Sequence, residues 1–173
     1  MPEIVALRVG TQDGSLTLLE IDTPEELLRH VGETIGPGRW IDIPQSRIDA
    51  FAQATDDRQW IHLDAERTHG ELGHAPVAHG YLTLSMLAVM MYDLVHIENV
   101  GRIVNYGMNK VRFIAPVLAG DRVRGEVTIN RVTHEDNFVR AIFDVSIFVE
   151  RLEKPVMIAQ SIILYFNEDG SGR

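Results

Sequence analysis

Hydrophobic and polar positions divide the 173-residue chain into a run of short amphipathic pieces, one long apolar stretch and a strand-rich C-terminal half. Ile4–Val9 and Leu16–Ile21 are apolar runs around Thr-Gln-Asp-Gly-Ser, and an Asp-Gly between β-prone runs predicts a hairpin in an N-terminal extension, residues 1–22. Thr23-Pro24-Glu25-Glu26 predicts a helix start: a capping hydroxyl, proline in the first turn, then acids at the positive end of the dipole. That helix is expected to end near Gly32. Gly36-Pro37-Gly38 predicts a loop and Trp40-Ile41-Asp42-Ile43 a short strand. From Pro44, Ile48, Phe51 and Ala52 recur at helical spacing. Residues 64–73 are polar and are expected at the surface, with room for a short helix.

From Gly80 to Val95 nearly every position is apolar whatever the helical phase, which predicts a helix buried on all sides. A sheet must wrap it. Residues 139–149 alternate, with Val139, Ala141, Phe143, Val145, Ile147 and Val149 on one face and Arg140, Asp144 and Ser146 on the other. Residues 123–129 do the same through Val123, Val127 and Ile129, and Val156–Phe166 is a further strand. Short polar connections at 134–137 and 153–155 predict an antiparallel meander of these three, preceded by a strand over 104–114. Residues 167–173 form a polar tail. Repeats and linkers are absent, so the expectation is one α+β domain over 1–173, a curved antiparallel sheet around a central helix.

Composition narrows the function. A formal net charge of −9 argues against a nucleic-acid binder, which needs a cationic face. The absence of cysteine removes disulfides and thiol nucleophiles and fits a reducing cytoplasm. The N-terminus lacks the basic start and continuous apolar run of a signal peptide, and the one membrane-like run, 81–95, is too short to span and carries Asp93. The expectation is a cytoplasmic protein that engages neither membrane nor nucleic acid.

The chemistry concentrates in residues 55–95. Asp57 and His62 are five apart, so on one helix they would diverge by about 140°. They can converge only if the backbone turns, which places both on a loop. Gly80 opens the apolar helix, where a free N–H and a missing Cβ suit a carbonyl oxygen that gains negative charge. His62, His69, His74 and His79 are seven, five and five apart, sharing no helical face, and with no cysteine they predict no metal site. His79 is read as a brace for the turn, and Met86, Met90 and Met91 as core filling or the lining of an acyl tunnel.

Thr55-Asp56-Asp57-Arg58-Gln59-Trp60-Ile61-His62, followed by Pro76-Val77-Ala78-His79-Gly80-Tyr81-Leu82-Thr83-Leu84-Ser85, resembles the hydratase-2 motif of MaoC-type (R)-specific enoyl-CoA hydratases, in the nodulation protein N-like branch. Asn105-Tyr106-Gly107-Met108-Asn109-Lys110-Val111-Arg112-Phe113 resembles the same branch, and the likeness covers about residues 25–165. The family pattern has Gly, Asn and Pro where this chain has Asp56, Gln59 and Trp60. It often has a serine supporting the aspartate at a position occupied here by Ala88, with Ser85 nearby. The resemblance implies a hot-dog fold paired as a homodimer through a continuous sheet. It also implies syn addition of water to a trans-2-enoyl-CoA, giving the (R)-3-hydroxyacyl-CoA. Asp57 and His62 would be catalytic and Gly80 the oxyanion donor, with Gln59, Trp60, Ser85, Asn105, Lys110 and Arg112 as candidate substrate contacts. Cofactors are not expected, coenzyme A entering only as part of the acyl-CoA substrate. Two alternatives stand beside this: a thioesterase on the same fold, and a non-catalytic acyl-CoA-binding or subunit-pairing module. Hot-dog thioesterases more often carry an acid on the central helix, and here residues 82–92 contain none.

Overall fold

The computed structural model describes residues 18–167. The N-terminal hairpin therefore falls mostly outside the described residues, as does the polar tail beyond Asn167. Of the second hairpin arm, Leu19–Ile21 forms strand β1, which pairs in parallel with β4, Val95–Ile97.

Leu27 is fully buried under a 310 helix, Pro24–His30, and the chain leaves it at Gly32 with φ +91°. The turn signals at Thr23 and Pro24 thus start a tighter helix than the α-helix they predict, one in which Thr23 makes no side-chain cap. Two very short strands follow, β2 (Thr34–Ile35) and β3 (Ile41–Asp42), both against β6. Helix α1, Gln45–Thr55, buries Ile48 and Ala52 as its spacing predicts. One-turn α2 is Trp60–Leu63. Helix α3, Ala65–Leu72, is capped by the Asp64 carboxylate on the Arg67 N–H and closed by Gly73 in the left-handed conformation.

The apolar stretch forms two helical segments, α4 (Gly80–Ser85) and α5 (Leu87–Leu94). The break is one residue, Met86, which keeps right-handed dihedrals (φ −67°, ψ −16°) and donates its N–H to the Leu82 carbonyl at 3.1 Å, while Ser85 Oγ donates to the Tyr81 carbonyl at 2.7 Å one residue before it. Burial of the stretch is also less than all round. Leu82, Leu87, Met90, Met91 and Leu94 are buried, whereas Tyr81 is 70% and Tyr92 62% exposed. With Ser85 they form one stripe that nothing in the described residues covers.

Four long strands make the sheet: β5 (Arg102–Phe113), β6 (Arg122–Glu135), β7 (Phe138–Val149) and β8 (Met157–Phe166). The order is β2-β6-β7-β8-β5, so the meander β6-β7-β8 is as its short connections predict, and β5 returns antiparallel to β8 as an edge strand. On β7 the alternation is exact, with six inward residues from Val139 to Val149 buried. On β6 it continues past Ile129 only because a bulge between Ile129 and Arg131 resets the phase and returns Val132 inward. Side chains such as Phe143, Ile147, Met157 and Ile163 pack inward with the helix residues into one core. Full burial of each is worth roughly 1.5–3 kcal/mol. Among the described residues no helix is long and apolar enough to cross a membrane.

Candidate functional site

The site begins where α1 stops. Asp56 adopts φ 58°, ψ 11°, the left-handed conformation that ends the helix and swings the chain round. Position 56 is the family's glycine, and its backbone explains both residues: glycine enters this region freely, and aspartate is among the few side chains that tolerate it. The Asp56 carboxylate is exposed to solvent and sits 3.6 Å from Arg58. Asp57 Oδ1 then accepts a long 3.4 Å hydrogen bond from the Gln59 N–H, and the chain enters α2 at Trp60. The bend between Asp57 and His62 is real but shorter than a loop reaching His62. Only residues 56–59 are irregular, and His62 rides on the helical turn.

His62 is buried, and its Nδ1 lies 2.6 Å from the Val77 carbonyl. A carbonyl only accepts, so Nδ1 carries the proton and Nε2 presents a lone pair. The Val77 N–H returns a bond to the Ile61 carbonyl at 2.9 Å, and Gln45 Nε2 donates to the His62 carbonyl at 2.8 Å. Helix α2 is thereby held to α1 on one side and to residues 76–78 on the other.

That segment leads into α4. Ala78 N–H donates to Val117 at 2.7 Å, His79 is the residue before the helix, and Gly80 is its first residue. Thr83 N–H is the first to reach back, to the His79 carbonyl at 3.1 Å. The Gly80 N–H therefore belongs to the unpaired first turn, at the positive end of the helix.

His79 closes the arrangement. Its ring stacks on His62 with centroids 3.7 Å apart and planes 24° apart, and its Nε2 donates to the Asp57 carbonyl at 3.0 Å. Asp57 Oδ2 is 4.0 Å from the same nitrogen. Ligand-type atoms of Asp57, His62 and His79 all lie within 4.8 Å of one another. The sequence spacing of the two histidines hid this meeting, because it is made between separate elements. Each imidazole spends one nitrogen on a backbone carbonyl, His62 Nδ1 on Val77 and His79 Nε2 on Asp57, and keeps the other, His62 Nε2 and His79 Nδ1, free of those bonds.

Beside Gly80 opens a cavity of about 340 Å³, walled by Ala78, Thr83, Phe113, Val117 and Met157 among others. Thr83 and Phe113 were not singled out by the sequence; Phe113 ends β5, and no periodicity reports which strand end meets which helix start. Of the candidate substrate contacts, Gln59 and Trp60 flank Asp57 and His62, and Arg67 lies 4.0 Å over the Trp60 ring. The others lie elsewhere within one chain. Ser85 is exposed and bonded to its own helix. Ala88 and Asn105 line a small cavity with Tyr92 and Tyr165, whose hydroxyl is pushed well above the ordinary phenol range by burial. Lys110 and Arg112 line a groove of about 350 Å³ with Asp144, Ser146, Ile158 and Gln160, side chains that alternate opposite to the core-facing residues of their strands. Asp93, the one acid at the end of the apolar stretch, is paired with Arg39 at 2.6 Å.

A long antiparallel sheet wrapped round a helix defines a hot-dog protein. The MaoC like domain family matches residues 27–147, and the chain belongs to that family. It is 38% identical over 141 residues to 3-hydroxyacyl-thioester dehydratase Z of Mycobacterium tuberculosis, covering 81% of this chain and 93% of that protein. Nodulation protein N of Rhizobium meliloti is 37% identical over 142 residues, covering 79% and 88%. Among solved structures, R-hydratase PhaJ1 from Pseudomonas aeruginosa superposes with a TM-score of 0.66 at 21% identity, covering 80% of this chain and 83% of that one. The (R)-hydratase of A. caviae involved in PHA biosynthesis gives 0.63 at 20%, covering 77% and 94%. These two structures support the hot-dog fold.

Proposed function

We propose that the chain catalyses reversible, (R)-specific hydration of trans-2-enoyl thioesters to (R)-3-hydroxyacyl thioesters, with an acyl-CoA as substrate and no further cofactor. The supporting observation is the convergence of the Asp57 carboxylate with the buried, Nδ1-protonated His62 at the start of the Gly80 helix. A water molecule between them donates one hydrogen to His62 Nε2 and the other to Asp57. As its oxygen attacks C3, electron density moves to the thioester oxygen, where the Gly80 N–H stabilises the charge. One such donor is worth about 3–4 kcal/mol in acyl-transfer enzymes. The proton taken from water returns to C2 from the same side, giving syn addition, and the reverse sequence dehydrates. The cavity beside Gly80 offers an apolar place for the acyl or pantetheine portion.

The reading extends to a homodimer. β5 is an edge strand bearing exposed Tyr106, Met108 and Phe113, and Tyr81 meets Phe113 edge-on at 6.2 Å. An apolar edge next to the uncovered tyrosine stripe is what a second copy would cover.

The test is loss of enoyl absorbance with crotonyl-CoA and longer substrates. Asp57→Asn and His62→Ala are each expected to lower kcat by about 10²–10⁴-fold. Release of free CoA instead would assign a thioesterase, and binding without turnover a non-catalytic module.

A further inference from the structure

We propose that His79 is a positioning residue for the hydration step. It fixes the plane of the His62 ring and pins the Asp57 backbone so that the two groups share one water. The inference rests on the hydratase reading and adds a residue to it.

His79 is only 2% exposed and is packed on three sides: Phe51 of α1 at 5.1 Å, His62 of α2 at 3.7 Å, and the Asp57 loop through Nε2. Because the Asp57 carbonyl can only accept, the proton of neutral His79 is on Nε2 and the lone pair on Nδ1. That Nδ1 is buried with no hydrogen-bond partner. A ring serving only as packing would be better made by phenylalanine, which stacks equally well and buries no unpaired nitrogen. What imidazole supplies and phenylalanine cannot is the Nε2–H on Asp57.

That bond has a specific task. The residue just before Asp57 is held in the left-handed region, and the Asp57 side chain is 52% exposed, with only the 3.4 Å contact to Gln59 to orient it within the loop. Backbone anchoring by His79 is therefore the short, direct tie between the acid and the rest of the site. His79 is also covalently next to Gly80, so one residue couples the acid, the base and the oxyanion donor. The titratable groups facing it are Asp57 from the loop and His62 from α2; α1 contributes the uncharged Phe51.

The experiment compares wild type with His79→Phe, His79→Gln and His79→Asn, by kcat and KM for crotonyl-CoA and by ¹⁵N ring signals of His62 in the free protein. Phenylalanine keeps the stack and loses the donor; glutamine places an amide N–H where Nε2 was; asparagine keeps polarity but is a methylene too short. The expected result is a drop in kcat of about 10- to 100-fold for Phe and Asn with KM within about 3-fold, and recovery by Gln to within about 5-fold. The His62 signals should keep the Nδ1–H tautomer pattern in the Phe and Gln variants alike, because the Val77 carbonyl sets it, so that lost kcat in the Phe variant reports the lost donor on Asp57 and not a turned base. Wild-type kcat in the Phe variant, or equal damage in Gln and Asn, overturns the proposal. If the Phe variant does not fold, the Gln and Asn variants decide alone. Should wild type fail to hydrate, the hydratase reading fails, while backbone amide exchange over residues 56–59, faster in the Phe variant and restored in Gln, still reports whether His79 pins the loop.

Discussion

The ring of Phe113 lies flat against the open side of Gly80: a β-carbon built on the glycine falls 3.2 Å from three of its ring carbons. Glycine at 80 is thus held by the seat of an aromatic ring from the end of β5, and the proposed mechanism adds a second demand, the approach of a substrate oxygen. The Gly80→Ala variant separates them. Crowding alone should cost about 1–3 kcal/mol of stability, and Gly80→Ala with Phe113→Leu should recover most of it. If the methyl also blocks the oxyanion, kcat/KM stays down by about 10²-fold in the double variant. Calorimetry and the enoyl assay on both variants check this; full recovery of activity with Phe113→Leu would show that only packing selects the glycine.

Asp56 stands in a conformation that costs a β-branched residue about 1–2 kcal/mol. Its exposed pairing with Arg58 adds little. Asp56→Val should therefore lower Tm by about 2–8 °C, whereas Asp56→Gly should leave it unchanged or raise it slightly. Activity of Asp56→Gly should equal wild type, since this carboxylate is solvated and paired with Arg58. A large activity change in that variant would mean that Asp56 acts on Asp57 electrostatically.

Gln45 donates through one Nε2 to both the His62 carbonyl and the Asp49 carboxylate, each at 2.8 Å, and so fastens α2 to α1. Gln45→Leu fits an apolar stem in the same place without the donor. The expected cost is about 1 kcal/mol, with a fall in kcat smaller than that of His62→Ala. Thermal unfolding with the enoyl assay reads both, and an unchanged kcat would mean that Val77 and His79 orient His62 without Gln45.

The sheet was legible in the sequence because its signal is local. Val139 to Val149 announce two faces by alternation, and short turns dictate which strands are neighbours. The exceptions are equally physical: the bulge at Asn130 breaks the period that carries the signal, and the apolar stretch divides at Met86, an apolar residue that no period sets apart. Asp57, His62 and Gly80 could be named from a motif, and the turn between the first two from helical geometry. His79 could be read as a brace for the turn, but not which groups it braces, because its three neighbours come from residues 51, 57 and 62 and their meeting is a property of packing. The exposure of Tyr81 and Tyr92 was hidden for a related reason: periodicity tells an apolar face from a polar one, but not which chain covers it.

That uncovered face gives the last prediction. β5 is twelve residues long, sits at the sheet edge and carries Tyr106 and Met108 outward, in a chain whose net charge of −9 otherwise favours separation. Edges this long are normally blunted by charge, proline or cover. Arg102 blunts its start and Lys110 and Arg112 its far end, and Asn105 to Asn109 between them carry no charge. Tyr106→Glu with Met108→Glu places two carboxylates on each facing edge of a pair, desolvating charge with no partner while leaving the core of each chain untouched. Sedimentation should show a dimer for wild type and a monomer for the double variant, with secondary structure retained by circular dichroism. Because the tyrosine stripe beside Gly80 would then be exposed to water, kcat/KM should fall with dissociation and recover at high protein concentration. A wild-type monomer with full activity would show that one chain suffices and that the apolar edge serves another partner.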